Sequence, residues 1–126
     1  MSIILLRQMK ELKKYKNLKS YITDLQLERL ELITDFVIAE YDINKDELFS
    51  RTRKRNIAEG RRKIAFLARM YHNIEGKIIA EYLNINKEWA CLLIYSCWDI
   101  CNVDLSYQHQ IQKLMVKLQI HYNDNL

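Results

Sequence analysis

Seven of the thirteen residues from Arg51 to Lys63 are basic: Arg51, Arg53, Lys54, Arg55, Arg61, Arg62 and Lys63. With Glu59 as the single acid, the stretch carries +6. A block of this kind is the electrostatic footprint of a phosphate backbone. Arginine suits the task because its fork matches phosphate geometry. The bland alternative is a solvated surface, or a basic arm paired with the protein's own acidic helix. Because the block leads into a pattern of three helices, DNA is the favoured reading.

Other chemistry finds little support. Cys91, Cys97 and Cys101 fall on one expected helix, and Cys97 and Cys101, four apart, could reach one metal from one face. No further cysteine lies outside that helix, and His72, His109 and His121 show no ligand spacing. Small buried hydrophobes in a reducing compartment is therefore the reading preferred, with no metal and no cofactor. The chain contains no G-x-x-x-x-G-K-[ST] phosphate loop and no serine or cysteine nucleophile context, so an enzyme is not expected.

The elements that must position the basic block follow from composition and period. A chain of 126 residues predicts one domain with a modest core. With no proline and only Gly60 and Gly76, helix breakers are nearly absent. The expected fold is all-α, a compact bundle of about six helices containing a helix-turn-helix. The longest apolar run, Trp89 to Tyr95, is too short to span a bilayer. Ser2 to Leu6 precede the lysines, the reverse of a signal peptide's order, so a cytoplasmic protein is expected. Charge is blocked along the chain: +5 over residues 1–20, −6 over 21–50, +6 over 51–63 and −1 over 64–126.

In order, residues 1–22 hold a basic amphipathic helix over 3–18, packed on the domain or docked on a membrane or partner. Residues 23–122 form the helical domain, and 123–126 a frayed tail. Thr23 or Asp24 caps a helix to about Tyr41, with Leu25, Leu27, Leu30, Ile33, Phe36, Val37 and Ile38 inward and Glu28, Glu31, Asp35 and Glu40 outward. Asn44 caps a short turn pinned by Leu48 and Phe49. Ser50 to Gly60 reads as a loop leading into a helix, and Gly60 to Tyr71 as a helix with Arg61, Arg62 and Arg69 outward and Ile64, Phe66 or Leu67, Met70 and Tyr71 inward. Glu75–Leu83 and Lys87–Cys101 form a helix pair around Asn84-Ile85-Asn86, with Asn86 as cap. Ser106 caps a last helix carrying Ile111, Leu114, Met115, Leu118 and Ile120.

The run Leu48-Phe49-Ser50-Arg51-Thr52-Arg53-Lys54-Arg55-Asn56-Ile57-Ala58, with Arg61, Leu67-Ala68-Arg69 and Ile79, resembles the C-terminal DNA-binding domain of the bacterial replication initiator DnaA, related in fold to the Trp repressor. The likeness covers about residues 30 to 122. It implies that Arg53 enters a minor groove, that Lys54, Arg61 and Arg69 hold phosphates, and that Lys77 meets the backbone. The family's Asp-His-Thr-Thr-Val signature is absent: its positions read Lys87-Glu88-Trp89-Ala90-Cys91. The base-reading chemistry of the initiator's box is therefore not expected here.

The helix from Lys87 has a core stripe of Ala90, Leu93, Ile94, Cys97, Ile100 and Cys101. Its other side offers few base-reading groups: Lys87, Glu88, Tyr95 and Ser96. Trp89, Leu92 and Tyr95 there have the composition of a protein interface. Two functions are thus in play. One is a DNA-binding module using Arg51, Arg53, Lys54, Arg55, Arg61, Arg62, Lys63, Arg69, Lys77, Asn86, Lys87 and Trp89 on double-stranded DNA. The other is a protein-interaction module, a homodimer or partner-binder, through Trp89, Leu92 and Tyr95.

Overall fold

The structure, a computed structural model, describes residues 22–124. The helix expected over 3–18 and the last two residues of the tail lie outside the described residues. Six helices and no strand make up the described part: α1 (Asp24–Tyr41), α2 (Lys45–Leu48), α3 (Arg55–His72), α4 (Gly76–Leu83), α5 (Lys87–Val103) and α6 (Leu105–Asp124). The all-helical expectation holds.

α3 is the central helix, packed against α1, α5, α2, α4 and α6. Ile57, Gly60, Ile64, Ala65, Leu67 and Ala68 recur at helical spacing and are all buried. They meet Leu27, Leu30, Ile33 and Val37 of α1, Ile79 and Leu83 of α4, and Ala90 and Leu93 of α5 in one core. A second cluster, Phe66, Cys97, Tyr107 and Ile111, ties α3 and α5 to α6.

Helix ends explain how the chain folds back with only two glycines. α1, α3 and α4 each stop at a left-handed residue, Asp42, Asn73 and Asn84, with φ of 51°, 53° and 58°. Asn and Asp tolerate this conformation better than other residues with a Cβ. An isoleucine follows each stop, Ile43, Ile74 and Ile85, and its N–H returns to a carbonyl of the finished helix: Ile38, Ala68 and Ala80 respectively. Ile43 and Ile74 are buried, so the ends of α1 and α3 are each locked by an apolar plug after the helix, and Ile85 packs half-buried after α4. At the other ends, Thr23 and Gln26 form a capping box, and Asn44 and Asn86 accept from Asp46 and Trp89 N–H groups.

Four expectations are corrected. α3 starts at Arg55 rather than Gly60; Lys54 provides no side-chain cap to mark that start. Gly60 is instead an interior helical residue, where a Cβ would stand 2.7 Å from Ile43 Cδ1 and 3.2 Å from Leu48 Cδ2, so glycine lets α3 approach the segment that opens the basic loop. α6 starts one turn-position before Ser106, and Asp104 Oδ1 takes the Tyr107 N–H at 3.1 Å. Leu25, Met70 and Ile120, expected inward, are about half exposed because they sit at the borders of their stripes. Glu40, expected outward, is held against α6 by Lys113 at 2.7 Å and by Lys117.

Candidate nucleic-acid interface

The segment between α2 and α3 is short, polar and internally bonded. Ser50 Oγ donates to the Glu47 carbonyl at 2.7 Å and accepts the Thr52 N–H at 3.2 Å. Thr52 Oγ1 accepts the Lys54 N–H at 3.4 Å. Hydroxyls at alternate positions thus bond the loop backbone that regular structure would otherwise satisfy.

Arg61 completes the loop from below. Its side chain is fully buried, not outward as expected. Nε donates to the Leu48 carbonyl at 3.0 Å and Nη1 to Thr52 at 2.7 Å. Nη2 donates to Glu47 at 3.1 Å and to Ser50 at 2.6 Å. The guanidinium also lies 5.4 Å from the Trp89 ring centroid, a cation–π contact reaching the first turn of α5. Burial draws the Arg61 pKa below its usual value. The position belongs to the buried stripe of Ile57, Ile64 and Ala68. That spacing was the sequence signal, and it was overridden by the charge of the residue.

Arg62 and Lys63 also turn inward, toward a polar cluster at α6. Arg62 pairs with Glu59 and donates to Ser96 Oγ at 3.0 Å. Lys63 Nζ lies 3.6 Å from Glu59, with the Tyr41 and Tyr107 rings 4.4 and 4.9 Å away. Tyr107 OH donates to Glu59 at 3.2 Å. Burial pushes the Glu59 carboxyl up, but Arg62 and Lys63 bring it net below its ordinary value. Burial pulls the Lys63 amine down, with Glu59 opposing. Cys97 sits beside this cluster, its thiol pushed up to about 12 by burial. That is the behaviour of a packing thiol rather than a nucleophile. Among the described residues no group of three His, Cys, Asp or Glu could hold a metal.

The basic block therefore divides. Arg51, Arg53 and Arg55 are exposed and have no ion-pair partner among the described residues. Lys54 is exposed and lies 3.1 Å from Glu47 of the acidic block. A cleft of about 460 Å³ joins this face to the helix pair, lined by Arg53, Ala58, Arg61, Asn86 and Trp89. Asn86 is exposed, and its Oδ1 is engaged in capping α5, 2.7 Å from the Trp89 nitrogen. Lys87 is exposed at the start of α5. Trp89 is half-buried on Arg61.

Arg69 and Lys77 are not brought to this cleft. Arg69 bonds to Asn73 and lines a separate groove of about 530 Å³, with Phe66, Met70, Cys91, Tyr95 and Trp98 among its walls. Lys77 lies 3.5 Å from Glu75. Along the outer side of α5, Leu92 and Tyr95 are 65% and 69% exposed, and Trp98 rests on Phe66 with centroids 6.3 Å apart.

The chain is 33% identical over 96 residues, 74% of its length, to the chromosomal replication initiator protein DnaA of Synechococcus sp. (strain JA-2-3B'a(2-13)). It spans 20% of the length of that protein, so the likeness relates it to a fragment of the initiator. No family model matches the chain. No solved structure matches it significantly. No helix among the described residues is long and apolar enough to cross a membrane.

Proposed function

We propose that this chain is a DNA-binding module of the initiator's kind. It takes double-stranded DNA mainly by its phosphate backbone and minor groove, with α4 and α5 as a helix-turn-helix and the loop before α3 as the principal contact. One observation carries the reading: Arg51 and Arg53 on the loop and Arg55 at the first position of α3 stand exposed, without an ion-pair partner among the described residues, and Arg53 shares a cleft with the start of α5. Exposed arginines that release counterions from phosphates supply sequence-independent affinity. Lys54, Lys87 and the amide of Asn86 extend the face, while Lys77 and Arg69 lie away from the cleft. Arg62 and Lys63 belong to the Glu59 cluster and serve the fold. The role is binding, without catalysis, in replication or transcription control in the cytoplasm.

A second reading is a protein-interaction module. The exposed Leu92, Tyr95 and Trp98 on one side of α5 favour it, since aromatic and leucine anchors dominate interface cores. A salt titration of a fluorescent duplex, with mass measured by light scattering, separates the two. DNA binding that weakens steeply with salt by a monomer supports the first. A salt-independent dimer with no duplex affinity supports the second.

A further inference from the structure

We propose that Arg61 is the positioning residue of this site: it shapes the loop that presents Arg51 and Arg53 and docks that loop on the first turn of α5, without itself holding a phosphate. The proposal rests on the DNA-binding reading above. Four of its five N–H donors point to carbonyls of Glu47, Leu48, Ser50 and Thr52, which fall on both sides of the loop's bend. Its other face covers Trp89. With no exposure and four of its five donors committed to the loop, the side chain cannot turn to a phosphate without unmaking the loop. Asn84 Nδ2 reaches the Phe49 carbonyl at 3.5 Å, so the turn of the helix pair also meets the same backbone. A single guanidinium thus joins the loop to the first turn of α5.

Lysine is the informative replacement. Arg61→Lys keeps the positive charge, so a phosphate ligand would survive. It loses the planar fork, because an ammonium presents its three donors from one point and cannot span four carbonyls. The freed loop must then be ordered again on binding, which weakens affinity without removing a charge. The expected results are trypsin cleavage after Arg51, Arg53, Lys54 or Arg55 accelerated about tenfold or more, with helical content unchanged. Duplex affinity falls about tenfold, and the salt slope stays within about 0.3 of the parent's. Unchanged proteolysis with unchanged affinity would overturn the proposal. If Arg61→Lys does not fold, the parent protein gives the answer by NMR of arginine side chains. The Arg61 Nε–H signal should be protected from exchange in the free protein and stay in place when duplex is added, while the Arg53 signal moves. An Arg61 signal that exchanges freely, or shifts with duplex as Arg53 does, overturns it. If the parent binds no duplex, the DNA reading fails, while the proteolysis and exchange results still decide whether Arg61 holds the loop.

Discussion

Replacing Arg53 and Arg55 together by alanine is the most informative perturbation of the interface. Both side chains are exposed and neither has an ion-pair partner among the described residues, so their loss should leave the fold intact. Each phosphate contact contributes roughly 0.9 to the log–log salt slope, so the double variant should lose about 1.8 of slope. At about 0.1 M salt that is roughly 1.8 decades of affinity, about 60-fold or 2.5 kcal/mol, shrinking toward nothing near 1 M. The loss should be about the same for every duplex sequence, since backbone contacts carry no sequence information and a minor-groove arginine separates at most A·T from G·C. Arg62→Gln removes a charge from the same stretch of sequence, but this guanidinium is held by Glu59 and Ser96. Its effect on the slope should stay below about 0.3. Fluorescence anisotropy across a salt series reads both. Parallel lines for the parent and the double variant, or an Arg62 effect as large as that of a loop arginine, would refute the division of the block into exposed and interior halves.

Further outcomes follow from the core and the helix ends. Thr34 Oγ1 donates to the Leu30 carbonyl at 2.7 Å, so the buried Tyr82 hydroxyl, 2.8 Å away, must donate to Thr34; Tyr82→Phe should cost about 1 kcal/mol in chemical denaturation without changing the m-value. Asn84→Ala forces a left-handed conformation on a residue that resists it and should cost about 1 kcal/mol, whereas Asn84→Gly should cost only a few tenths, and equal costs would contradict the cap. Hydrogen bonds from Lys113 and Lys117 hold the Glu40 carboxyl down from 4.5 to about 2. Because the folded value is the lower one, its stabilisation is present above about pH 4.5 and is lost as the pH falls toward 2. Thermal melts of Glu40→Gln should therefore lie below the parent at neutral pH and converge with it near the acid end of that window.

Much of the frame was legible because its signals are local. Thr23, Asn44 and Asn86 cap where capping chemistry says they should, and the stripe of α5 through Ala90, Leu93 and Cys97 is buried as its period implies. The site was harder to read, for a physical reason. An arginine is taken for a surface residue because a buried charge is costly unless its donors are satisfied. The stripe of Ile57, Ile64 and Ala68 places Arg61 inward, but the loop carbonyls that satisfy it, up to fourteen residues away in sequence, follow from no spacing rule. Lys63 hides in the same way between two tyrosines from α1 and α6. The start of α3 at Arg55 was missed because nothing at Lys54 marks it, and Gly60 imitates a boundary while serving close packing.

Competition between a duplex bearing the initiator's box and a scrambled duplex of equal length, at physiological salt, tests the central claim most directly. At the start of α5 the chain offers Lys87, Glu88, Trp89 and Ala90; Trp89 is stacked on Arg61, Ala90 is buried, and Glu88 carries negative charge. One good bidentate base contact is worth roughly 1–3 kcal/mol of discrimination, and little here can supply it. Binding led by Arg51, Arg53 and Arg55 predicts a preference for the box of about tenfold or less, near 1.4 kcal/mol. A preference of about a hundredfold or more would contradict it and place sequence reading in α5.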